Sequence, residues 1–95
     1  MISKEDYEAK LEESLREWNS RISILKAEAE RQNGKEKPEH KRRVTEILEQ
    51  KAALEAMIGE LQRASGKKWI ELKDKIQEAQ ADFEASYKTT MMEYI

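Results

Sequence analysis

From Tyr7 the apolar positions run Tyr7, Leu11, Leu15, Trp18, Ile22, Leu25 and Ala29, always at steps of three or four. That spacing draws one narrow stripe along an α-helix, with charged residues on the remaining faces. Ser3 stands where a helix N-cap would, able to accept from the backbone N–H of Asp6 while Asp6 reaches back, and Ile2 and Tyr7 flank it as a hydrophobic staple. The helix is expected to stop near Gln32-Asn33-Gly34, because Gly just past a helix end tolerates the closing left-handed backbone. Pro38 suits the first turn of a following helix. Helix one is thus placed at about 3–33 and a loop at 34–37, short enough to join antiparallel neighbours.

The second stripe runs Val44, Ile47, Lys51, Leu54, Ile58, Leu61, Ser65, Trp69, Leu72, Ile76, Ala79, Phe83, Tyr87 and Met91, in the same steps. It crosses Gly66 without losing phase, which favours one long helix over about 38–92. Lys67 and Lys68 point the same way, since cations oppose the dipole at a helix start. The alternative is a reversal at Ser65-Gly66, with a third helix packing back to make an up-down-up bundle. The fold class is all-α in either case: a helical hairpin or coiled coil with a long second helix, or a three-helix bundle, forming one domain over 1–95.

The two readings differ in what they leave uncovered. A first helix of about 45 Å cannot cover a second of about 80 Å. Trp69, Leu72, Ile76, Phe83, Tyr87 and Met91 would then form an open stripe, a candidate interface that calls for another chain. Pairing with a second copy, as a homodimer, is the simplest solution, and a foreign helix is the next. In the bundle the same residues cover the first two helices and a monomer suffices.

Composition agrees with a helical rod more than with a globular enzyme. Charged residues make up 40% of the chain, Ala, Glu, Lys, Leu and Arg together make up just over half, and the net charge is only −2. Disorder needs stronger self-repulsion than that balance provides. The absence of cysteine excludes disulfides and thiolate metal sites. No apolar run approaches the ~20 residues that span a bilayer, and the N-terminus has no basic stretch leading into an apolar one. A soluble, cytoplasmic protein is therefore expected.

Candidate chemistry is sparse. Pairs such as Glu12-Glu13 lie off the stripes, where solvent leaves no reason for two carboxylates to separate in acidity. His40 is the single histidine, and Glu36 precedes it at a spacing that does not match a helical metal-binding pair. No catalytic residue, metal or cofactor is expected, and the chain is not read as an enzyme. The most uneven charge is a basic tip of Lys35, Lys37, Lys41, Arg42 and Arg43, opposed only by Glu36 and Glu39. Such a tip offers an alternative function as a peripheral binder of lipid or nucleic acid. Against it, the tip has no aromatic residue to stack on bases, and the last helical stretch lacks a cationic face for membranes. The leading expectation is a non-enzymatic protein acting through coiled-coil self-association or partner-helix binding. Met91, Met92, Tyr94 and Ile95 form an apolar end that could serve in docking.

The segments Leu11-Glu12-Glu13-Ser14-Leu15-Arg16-Glu17-Trp18-Asn19-Ser20-Arg21-Ile22 and Ala64-Ser65-Gly66-Lys67-Lys68-Trp69-Ile70-Glu71-Leu72-Lys73 resemble a group of short bacterial coiled-coil proteins of unknown function. A Trp in the first helix, a charged hairpin and a small-Gly-x-x-Trp-x-x-Leu-Lys segment recur there in this order. The tip, with Pro38 and His40, departs from the uninterrupted helix of that group. The resemblance implies a bacterial source and brings no ligand or catalytic residue.

Overall fold

Ser3 starts the first helix as the capping pattern suggests: its Oγ accepts from the backbone N–H of Asp6 at 3.2 Å. The computed structural model describes residues 3–32, 35 and 37–93, so the Ile2 staple position, the Asn33-Gly34 stop signal, Glu36 of the tip and the Tyr94-Ile95 part of the apolar end lie outside the described residues. Three α-helices follow one another: α1 Lys4–Arg31, α2 Pro38–Arg63 and α3 Lys67–Glu93. Pro38 opens α2, where a missing N–H costs nothing, and Lys37 precedes it in extended backbone at φ −65° and ψ 143°.

The long second helix expected over 38–92 is two helices. α2 ends at Arg63, Ala64 swings into extended backbone at φ −88° and ψ 154°, and Gly66 takes the left-handed φ of 61°. Three residues thereby reverse the chain, and the closed alternative, an up-down-up bundle of 50 × 19 × 19 Å, is the observed fold. Lysines at the start of α3 do oppose its dipole, at about 0.3–1 kcal/mol each when exposed. Burying a large apolar side chain contributes about 1.5–3 kcal/mol. Leu72, Ile76 and Phe83 are all buried, so folding back prevails over the dipole argument.

Contacts along the bundle fix its register. At one end Lys4 Nζ donates to the Gln62 carbonyl at 3.2 Å, and the rings of Tyr7 and Trp69 lie 6.5 Å apart. Midway Trp18 meets Phe83 edge to face at 5.8 Å, and Gln50 Nε2 donates to Ser86 Oγ at 3.2 Å. α1 and α3 therefore run parallel, with α2 antiparallel to both. Trp18, Leu25, Ile47, Leu54, Leu61, Ile76 and Phe83 form the fully buried axis of the core. Lys51, on the second stripe, keeps its stem along that core while Nζ reaches Glu55 at 2.6 Å.

Two substitutions test this packing. Phe83→Ala should lower the unfolding free energy by about 3–5 kcal/mol in urea titrations, since it empties the centre of a closed core. A residue on an open overhang would cost far less. Gly59 lies inside α2, and a Cβ there would meet only the far end of the Arg63 side chain at 4.0 Å. Gly59→Ala should therefore stabilise the bundle by about 0.5–1 kcal/mol.

Candidate functional site

The six residues of the expected open stripe do not form one. Leu72, Ile76 and Phe83 are buried among the three helices, and Trp69 is half-buried against Tyr7. There is no overhang because α3 lies alongside α1 and α2. Tyr87 and Met91, near the end of α3, also remain half-buried and are reachable from outside.

They line the floor of a surface groove of about 450 Å³ between α1 and α3, together with Arg21, Glu84, Lys88 and Met92. Arg21 organises its wall. One guanidinium nitrogen pairs with Glu17 at 3.3 Å, the other with Glu84 at 3.3 Å, and the carbon of the fork lies 5.6 Å from the Tyr87 ring centre. The pair to Glu17 is the acid-first i,i+4 arrangement of a helix surface. The pair to Glu84 ties α1 to α3. Met92 is 66% exposed beside this wall, so the groove joins a flexible apolar lip to a planar aromatic floor. The apolar run at 91–92 signals the lip in the sequence. Arg21, Glu84 and Lys88 give no such signal, because they are ordinary charged positions until α1 and α3 become neighbours.

The basic tip does not converge into one site. Lys35, Lys37, Lys41 and Arg42 are exposed, while Arg43 is half-buried and lines a separate cavity of about 240 Å³ with Glu46, Ser86, Thr89 and Thr90. His40 is half-buried in the first turn of α2, its backbone N–H donating to the Lys37 carbonyl at 2.9 Å. Among the described residues no group of three His, Cys, Asp or Glu is placed to hold a metal ion. Among them, too, no helix is long and apolar enough to cross a membrane.

A part-buried polar layer lies beside the core toward the C-terminal end of α3. Trp18 Nε1 and Gln50 Oε1 are buried and find no hydrogen-bond partner among the described residues, while the amide nitrogen of Gln50 is held by Ser86. Thr90 is 1% exposed, one turn beyond Ser86. Period counting overlooks these positions because their side chains are polar.

Electrostatics at the other end centre on Tyr7. Its hydroxyl donates to the Lys73 carbonyl at 3.5 Å, and Lys73 Nζ stands 5.7 Å from the ring centre. Burial, and secondarily the negative charge of Asp74, raise the phenol above its ordinary value near 10.

Comparison with protein-family models, with curated proteins and with solved structures finds no match for this chain.

The raised phenol sets a pH dependence. The folded state binds the Tyr7 proton more tightly than the unfolded chain, so its contribution to stability is complete below about pH 10 and declines as pH rises through the folded value. Tyr7→Phe removes the titrating group. Urea midpoints followed from about pH 9 to 11 should fall less steeply in the variant than in the parent. Parallel curves would mean that Tyr7 titrates as an ordinary exposed phenol.

Proposed function

We propose that this chain is a non-enzymatic helical interaction protein whose first partner is a second copy of itself and whose second class of partner is a foreign helix. The observation that carries the reading is the groove of Tyr87, Met91 and Met92, an apolar concavity on a surface otherwise dominated by charge. Methionines repack readily around an incoming side chain, and an aromatic floor backed by arginine is the composition of an interface anchor. The rim carries both signs, with Arg21 and Lys88 against Glu84, so a second copy approaching in reverse orientation meets opposite charges. A foreign strongly acidic or basic segment lacks that match.

No catalytic role is included in the reading. Glu12, Glu13 and Glu30 lie on exposed helix faces, and Glu28 pairs with Arg31 at 2.9 Å. The groove is small, which argues for weak, reversible association and not an obligate dimer. Of the two segments that resemble short bacterial coiled-coil proteins, one spans the middle of α1 and the other the 64–66 corner with the first turns of α3. Both belong to the framework, and the groove is built on it.

Sedimentation equilibrium from low to high micromolar concentration should show reversible self-association. Met92→Glu, which leaves the core untouched, should weaken it by about tenfold or more, as expected for an anchor residue. A parent protein that stays monomeric throughout, or a variant that associates equally well, would sink this reading.

A further inference from the structure

The stripe that crosses the corner between α2 and α3 keeps its phase. Leu54, Ile58 and Leu61 lead through Ser65 to Trp69, Leu72 and Ile76 at steps of three and four. Two helices that only ever pack as reversed neighbours do not require this, because a turn lets each set its own rotation. The reversal itself is confined to 64–66, where Ser65 and Gly66 are exposed. It passes through the left-handed backbone of Gly66, around which a Cβ would meet nothing within 4 Å.

We infer that the chain has a second folded state, a helix-exchanged dimer. Residues 64–66 straighten, α2 and α3 run on as one helix of about 80 Å, and the α3 of each copy docks on the α1 and α2 of the other. The core contacts that α3 makes in the closed form, Trp18 with Phe83 and Tyr7 with Trp69 among them, reform between copies, while those of α1 with α2 stay within each chain. The two long helices run antiparallel about a two-fold axis, which puts both half-bundles on the same side of the pair. Each long helix must then present its apolar residues on one continuous face, and the preserved phase provides that face. The occupant is a second copy, since only it supplies a third helix with this pattern. The inference shares with the proposed function the identity of that partner; the surface and the mechanism are different.

Gly66 decides the balance. It adopts the left-handed turn freely and disfavours a helix interior, and alanine reverses both preferences. Because each dimer contains two corners, Gly66→Ala should lower the dissociation constant of the exchanged dimer by about a thousandfold. The chain has no cysteine, so exposed Ala52 and Ala85 can be replaced by spin-labelled cysteines without background. These sites flank the Gln50 to Ser86 hydrogen bond on adjacent helices, and in the closed form their labels lie on the order of 20 Å apart or less. In the straightened helix the same two sites are about 50 Å apart within one chain.

The test measures mass by light scattering and intrachain distance by pulsed electron resonance, with labelled chains diluted in unlabelled protein. Gly66→Ala, made in the Gly59→Ala background to keep it folded, should double in mass and move to the long distance. Adding Ser65→Pro should return it to a monomer with the short distance, since proline bars a continuous helix and suits the extended Ala64 before it. A folded monomer of Gly66→Ala overturns the inference, and so does loss of helical circular dichroism, because the straightened state is at least as helical as the closed one. A dimer with the short distance also overturns it and leaves surface docking standing. If Met92→Glu then abolishes that dimer, the groove is its interface; an exchanged dimer persists in the presence of Met92→Glu.

Discussion

Gly66 holds a φ of 61°, a backbone region that costs an ordinary L-residue about 1–2 kcal/mol, and with Ala64 extended ahead of it the chain turns back within three residues. The third helix owes its position to that conformation. Once α3 lies beside α1 and α2, Leu72, Ile76 and Phe83 are buried, Trp69 comes to rest on Tyr7, and the ion pair of Arg21 with Glu84 becomes possible. Without the reversal these side chains would need another chain to cover them. With it, the chain covers them itself.

The three helices are not equivalent partners. α2 and α3 approach one another most closely, helped by small residues such as Ala64 and Ala79 packed on the core. α1 stands further off and is joined to them by large side chains, above all Trp18, whose ring fills the centre against Phe83. The polar layer of Gln50, Ser86 and Thr90 follows over the next two turns of α3. A buried polar group without its partner costs on the order of 1–3 kcal/mol, so sliding α2 along α3 would separate Gln50 from Ser86 at a real penalty. Apolar side chains tolerate small slips in register more easily. The layer thus contributes to alignment where the apolar stripes supply mainly cohesion.

Surface charge plays a secondary part. Pairs such as Lys4 with Glu8 and Arg31 with Glu28 lie on solvated faces, where each contributes well under about 1 kcal/mol. Arg21 is the exception in kind, because it links two helices and covers an aromatic ring as well as pairing with two carboxylates. That combination shapes the apolar groove whose floor includes Tyr87 and Met91. Two of the residues singled out by the sequence stripe therefore line that groove, though at the edge of a closed core and not along an open one.

The amino-acid sequence by itself determined the all-helical class, the Ser3 cap, the start of α2 at Pro38 and nearly every buried apolar position, because each depends on interactions within a few residues of the chain. It marked 65–66 as the place of an alternative break in the second stripe. It could not settle whether the break occurs, since the two outcomes use the same face of the same residues. The tertiary structure decided that, because burial of Leu72, Ile76 and Phe83 against α1 and α2 outweighs the unfavourable lysines at the start of α3. It also decided the groove and the polar layer. Arg21, Glu84 and Lys88, like Gln50 and Ser86, are unremarkable polar positions along the chain, and their roles arise only when distant helices become neighbours at a particular register.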